Sequence, residues 1–407
     1  RDLRPELAHF APVKYVVCVP DGCADLPVDQ LGGRTPLEVA VTPVLDSLAA
    51  RATLGRAAVI PPGLAPGSDV GNMSILGYDP ERFHTGRSPI EAAAIGLRLG
   101  PDEVAFRCNL VTLDSDGTMV DFAGGHPDTD AAAAVIEELE RRLGGEASFH
   151  AGKGYRHTMV APGSWATATC TPPHDLTGSK QVPPSGPAGR RLAELMHESM
   201  AVLADFELDA TQIWLWGQGA QPVMPPFRDH HGVEAGLVSA VDLVRGLGVL
   251  TEMQVVDVVG ATGWYDTNYE GKRDAVLAGL ENGADLFVLH VEASDEAGHA
   301  GDVDEKIRAL ENWDSRILRD LVSGLDDLGP WRMLMLPDHA TPLSTRTHTA
   351  DPVPYMLVDS AVDGVGGTYT EAAVADTPVV AGCSLLSTLV VQGASSSVRS
   401  GPAGGGS

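Results

Sequence analysis

The chain has 407 residues, enough for two or three domains at about 100 to 200 residues each. Its 28 basic and 55 acidic residues give a formal charge of −27, which repels a nucleic-acid backbone and leaves any anionic ligand in need of a local positive centre. The 43% hydrophobic and 5% aromatic content with 46 glycines excludes disorder except at the ends and fits a loop-rich α/β enzyme, while five scattered cysteines with no Cys-x-x-Cys pair exclude a disulfide framework and point to the cytosol.

In chain order, "KYVVCVPDG" (14 to 22) is an apolar β-branched run ending in Asp-Gly, the form of a buried parallel strand that stops in a turn. "TPVLDSLAARA" (42 to 52) reads as a helix with Thr42 as N-cap and Pro43 in its first turn. From about 103 to 205 the texture changes to that of an inserted α+β segment. It has a hairpin in "VAFRCNLVTLDSDGTMVDF", a helix over 128 to 144, strands in "YRHTMVAPG" and "TATCTPP", and a Pro/Gly/Ser-rich loop, a lid candidate, over 178 to 191. Further strands are expected in "TQIWLWGQG", "EMQVVDVVG", "DLFVLHVEAS" and "WRMLMLPDH", with a long helix over 304 to 325. Strands alternating with helices mean a mainly parallel sheet covered on both faces. The run 379 to 391 is shorter than the about 18 apolar residues a membrane span needs and reads as a core helix, so neither a signal peptide nor a membrane anchor is expected. Residues 393 to 407 read as a disordered tail.

Ionisable groups recur where strands end: Asp21, Asp295 with His299, and Asp338 with His339; His348 follows shortly after. Open α/β sheets collect ligands beyond the carboxyl ends of their strands, so these groups meet there if the sheet forms. Carboxylates mixed with imidazoles suit divalent manganese, zinc or related ions. Taken singly, Asp21-Gly22 is also a turn and Asp295 a helix cap. Ser68, in "PGSDVGNMSILGYDP", reads either as a helix N-cap or as a hydroxyl that a divalent cation activates as a nucleophile, and the two are compatible.

The ordered set "PDGCAD", "PGSDVGNMSILGYDP", "GATGWYDTNYEGK", "HVEASDEAGHAGD", "LPDH" and "THTADPVP" closely resembles the cofactor-independent phosphoglycerate mutases of the archaeal type, in the alkaline phosphatase superfamily. The resemblance implies an α/β fold with an alkaline-phosphatase-like, mainly parallel sheet flanked by helices and a smaller inserted α+β cap. Residues 12–102 and 206–392 would form the metal-binding domain and 103–205 the cap. It further implies two divalent ions (Mn, Zn or Mg), one held by Asp295, His299 and His348, the other by Asp21, Ser68, Asp338 and His339, with Ser68 transiently phosphorylated. Lys272 looks like the family's lysine between phosphate and nucleophile, and Asn72 would orient the phosphate.

Other segments resemble a bacterial branch of the family whose members have been proposed to act as homoserine kinases. A kinase or phosphatase acting on a small hydroxy or phospho acid is therefore the alternative to the mutase, and a metal-stabilised scaffold the alternative of another class. The expected ligand is a small anionic phospho-acid. Arg87, Arg107, Asn109, Lys153, Arg156 and His157 are the candidates to bind it, each open to the plainer reading of a surface ion pair. The sequence does not fix the oligomeric state.

Overall fold

The structure, a computed structural model, describes residues 12–391. The expected tail over 393 to 407, and residue 392, lie outside the described residues. Two compact units are present, one formed by the chain up to Arg82 together with the chain from Met224, the other by Phe83–Val223.

The larger unit is built on an eight-stranded sheet. Its centre is Lys14–Pro20, flanked in parallel by Trp331–Met335 on one side and Leu286–Val291 on the other. Ala235–Val238 and Gln254–Val256 continue the sheet in parallel beyond Leu286–Val291. On the opposite side Val353–Asp359 runs antiparallel and is followed by Thr53–Ala58 and the short Val379–Ala381. The central strands are buried along nearly their whole length, as continuous Val/Leu/Met runs demand when helices cover both faces. One such face packs Val16, Cys18, Phe287, Leu289, Met333 and Met335 against helix residues including Leu310, Trp313, Ile317 and Leu321.

Those last residues lie on one long helical stretch, Val303–Asn312 then Arg319–Leu328, joined by a π-helical turn over Trp313–Leu318. The 42-to-52 helix forms as Pro43–Ala49, with Thr42 at the N-cap making no side-chain capping bond. The run at 379 does not form the single core helix expected of it. Its β-branched start pairs with Thr53–Ala58, and the helix begins only at Leu385. No helix among the described residues is long and apolar enough to cross a membrane.

The smaller unit has an antiparallel sheet in which Glu103–Leu113 pairs with Met119–Asp121, Arg156–Pro162 and Gln212–Gly219, and Ser148–Lys153 pairs with Arg156–Pro162. Helices Thr129–Leu143 and Gly189–Leu203 place Val135, Ile136, Leu139, Leu192 and Leu195 against Phe106, Leu110 and Trp214. Gln212–Gly219 therefore belongs to this sheet, not to the parallel one where its apolar run had placed it. The unit begins at Phe83 and ends at Val223, wider at both ends than the 103–205 insertion. "TATCTPP" forms no strand: Thr169 makes an isolated bridge to Ser185, and Pro173–Leu176 is a 3-10 turn.

Candidate active site

The three strands at the centre of the large sheet deliver the chemistry. Asp21 follows Lys14–Pro20, Asp338 and His339 follow Trp331–Met335, and Asp295 and His299 sit on Ala293–Ala300, the helix after Leu286–Val291. The Asp21 backbone is held at both ends, its N–H donating to Val291 O at 3.0 Å and its carbonyl accepting from Ser294 Oγ at 2.5 Å. Two glycines let the segments close in. Gly22 has φ +59°, and a Cβ there would overlap Asp295 and Thr341. A Cβ on Gly71 would run into the Asp338 carbonyl.

Ser68 opens the helix Ser68–Ile75, with Gly67 rather than Ser68 at the N-cap. Its Oγ lies 3.1 Å from His339 Nε2. Asn72, one turn on, donates from its amide to Ser68 O at 3.0 Å and to Asp338 Oδ2 at 2.7 Å. It thus ties the Ser68 helix to an acid, and its amide hydrogens are already engaged there, contrary to a role in gripping substrate through them.

Ligand atoms converge in groups of the size a cation fills. Asp295, His299 and His348 form one, Asp21, Asp295 and His339 a second, and Asp21, His290 and Asp338 a third. In the first, Asp295 lies 3.3 Å from His299 Nε2 and 3.5 Å from His348 Nε2, and those two nitrogens are 2.9 Å apart. His299 Nδ1 donates to Arg346 O at 3.0 Å, which turns the Nε2 lone pair inward. His339 Nε2 sits 3.7 Å from Asp21 and 3.5 Å from Asp338. Donors about 2.1 Å from one tetrahedral ion stand about 3.4 Å apart, so the spacing fits a divalent metal.

The electrostatics fit as well. Burial first, then the Asp338 and Asp295 charges, push the Asp21 carboxyl well above its usual range. Burial alone would do the same to Asp338, but His339 and His290 hold it below that range. Burial works against a charged His299, yet the Asp295 carboxylate raises it to about 9; burial keeps His339 down at about 4. Asp21 Oδ1, Asp338 Oδ1 and His290 Nε2 are buried with no hydrogen-bond partner. Three acids packed together with orphaned donor atoms are what a bound cation compensates.

His290 is the residue that sequence reasoning missed. It is fully buried in Leu286–Val291, with Nε2 3.4 Å from Asp21 Oδ2 and 4.0 Å from Asp338 Oδ2. Nδ1 faces Glu292 Oε1 at 3.2 Å, and Glu292 in turn accepts from Lys272 Nζ at 2.6 Å. The available signal was a histidine inside an otherwise apolar strand, with an acid two residues on. Lys272 is fully buried and also donates to His290 O at 3.1 Å, so its charge is committed to Glu292 rather than presented to a phosphate. Burial opposes ionisation of Glu292, but Lys272 and His290 draw it down to about 2.

The proposed substrate residues of the smaller unit divide. Arg87 and Arg107 both pair with Glu91, at 3.1 and 3.0 Å; the Arg107 contact is an ion pair without hydrogen-bond alignment, and its guanidinium lies 4.7 Å above the Trp216 ring. Asn109 is buried and accepts from Trp216 Nε1 at 3.3 Å. His157 is buried, accepts from Gly152 N–H at 3.0 Å, and is pushed down to about 4 by burial. Lys153 and Arg156 are exposed and face one another across their strands.

A family model described as 2,3-bisphosphoglycerate-independent phosphoglycerate mutase matches residues 49–209. A protein of that name from Methanosarcina barkeri is 46% identical over 360 residues, covering 85% of this chain and 90% of its own. The chain belongs to this family. Another mutase, from Methanothrix thermoacetophila, is 45% identical over 363 residues, covering 86% of this chain and 92% of its own. Among solved structures, a Pyrococcus horikoshii protein superposes with a TM-score of 0.74 at 24% identity, covering 96% of this chain and 100% of that one. The cofactor-independent mutase of Thermoplasma acidophilum gives 0.59 at 23%, covering 92% and 98%, so the mutase fold is shared across the chain.

Proposed function

We propose that this protein is a cytoplasmic mutase that interconverts 3-phosphoglycerate and 2-phosphoglycerate through a phosphoserine on Ser68, with two divalent ions in its acid–imidazole cluster. The observation that carries the proposal is the position of Ser68 Oγ, at a helix N-terminus and 3.1 Å from His339 Nε2, the nitrogen that itself lies 3.7 Å from Asp21 and 3.5 Å from Asp338, in a chain of this family. Asp295, His299 and His348 would hold one ion, and Asp21, Asp338, His339 and Ser68 the other. Ions so held supply positive charge for the substrate phosphate and lower the pKa of the serine hydroxyl.

The chain's own residues do the rest. Asn72 and the backbone of Ser68–Ile75 fix the serine, and the helix N-terminus favours the charge that arrives on it. Ser68 Oγ forms a bond to phosphorus as the ester bond to the glycerate oxygen breaks, and the serine proton ends on the departing alkoxide. Reversal onto the neighbouring hydroxyl completes the isomerisation, and water must be kept out meanwhile or the phosphoserine hydrolyses.

Incubation with 3-phosphoglycerate followed by peptide mass analysis is expected to place a phosphate on Ser68. Ser68→Ala should lose it together with about 10³-fold or more of the enolase-coupled activity. Turnover of ATP plus homoserine in place of phosphoglycerate would overturn the substrate assignment.

A further inference from the structure

Thr341 stands where the candidate metal groups meet. It is fully buried, and its backbone is fixed on both sides: the N–H donates to Ala24 O at 3.3 Å, and the carbonyl accepts from the buried Lys306 Nζ at 2.8 Å. Lys306 is itself held by Asp25, at 2.7 Å, which also accepts from Leu343 N–H. The hydroxyl therefore has little room to move. It touches two groups, Asp295 Oδ1 and, at 3.2 Å, His339 Nδ1.

A threonine hydroxyl has one hydrogen to give, and an ionised carboxylate can only accept. The Thr341 hydrogen accordingly goes to Asp295, which leaves the oxygen as acceptor toward His339. Nδ1 of His339 must then carry a hydrogen. The consequence falls on the other nitrogen, because a neutral imidazole protonated at Nδ1 has its lone pair at Nε2. Nε2 is the atom that faces Ser68 Oγ, Asp21 and Asp338.

We propose that Thr341 is a positioning residue that selects the metal-ligating tautomer of His339 and, through the same hydroxyl, links the Asp295 group to the Ser68 group. The chain His339 Nδ1–H to Thr341 Oγ–H to Asp295 runs in one direction only, so loading of either group acts on the orientation of the other. Outer partners of this kind set metal affinity by about 10- to 100-fold. Valine at 341 keeps the shape and removes the hydroxyl; serine keeps the hydroxyl.

The proposal rests on the metal-dependent reading above, and zinc alone tests both. In zinc-loaded wild type labelled with ¹⁵N-histidine, the His339 resonance, assigned by its loss in His339→Gln, is expected to show hydrogen at Nδ1. Thr341→Val should lower zinc affinity by about 10- to 100-fold and change that resonance, and Thr341→Ser should restore both. If the valine variant does not fold, Thr341→Ala carries the same comparison. Zinc uptake and an unchanged His339 signal in the valine or alanine variant would overturn the role of Thr341 alone. Wild-type protein that takes up no zinc, manganese or magnesium would overturn the metal-centred reading and this proposal with it.

Discussion

Glu292 is a buried carboxylate between two buried basic groups, Lys272 and His290, and its removal separates a structural from a chemical role. Glu292→Gln leaves the Lys272 ammonium inside the protein without a counter-charge, which costs about 3–5 kcal/mol. A fall of that size in urea-unfolding free energy is the expected result, and little change would mean that the lysine finds another partner. His290→Gln removes a donor aimed at Asp21 and Asp338, and divalent-ion affinity by calorimetry should drop by about 10-fold or more.

The same residues mark what the sequence made legible. Asp21, Asp295, Asp338 and His339 announced themselves because each follows an apolar run, where an ionisable group has to find a partner. His290 and Thr341 did not. A fully buried strand carries no period-two signal to say which of its faces a histidine joins, and a lone threonine after Ala340 looks like any turn residue. Their roles appear only when segments remote in sequence are brought within hydrogen-bonding distance.

At the scale of elements, the Ser68–Ile75 helix shows packing overruling propensity. Alanine is favoured over glycine inside a helix by about 1 kcal/mol. At Gly71 a Cβ would overlap the Asp338 carbonyl, a backbone group that cannot swing away. Overpacking of this kind costs about 1–3 kcal/mol. Gly71→Ala should therefore lower both thermal stability and mutase activity, and a gain in melting temperature would show that the helix has slack. The parallel strands and the helices between them followed from alternation of pattern alone. Gln212–Gly219 did not, because a run such as Ile-Trp-Leu-Trp is equally at home in a parallel or an antiparallel sheet, and only its pairing with Glu103–Leu113 decides. His157, buried on the neighbouring strand, adds a pH dependence to that smaller sheet. Its pKa falls from the ordinary 6.5 to about 4, so the unfolded chain binds the proton first. The associated stability is present above about pH 6.5 and is lost as pH falls toward 4, by at most about 3 kcal/mol. Urea titrations at the two pH values should show a smaller difference for His157→Gln than for wild type.

For the whole molecule, the charge of −27 and the clustered acids act together. Removing divalent ions should restore the repulsion among Asp21, Asp295 and Asp338 and lower the melting temperature. Ions at 100 times their dissociation constant stabilise by about 2.7 kcal/mol per site. A melting curve indifferent to chelator would contradict that coupling. Sheet order has a further consequence for how the protein is made. The central strand Lys14–Pro20 has as its neighbours Leu286–Val291 and Trp331–Met335, so it waits for partners that are synthesised much later. A nascent fragment short of His339 lacks the Asp21, Ser68, Asp338 and His339 set, and one short of His348 lacks the Asp295, His299 and His348 set. Metal uptake should therefore wait for the strand-end residues Asp338 and His339, and cotranslational loading is expected to be absent from fragments that stop before them.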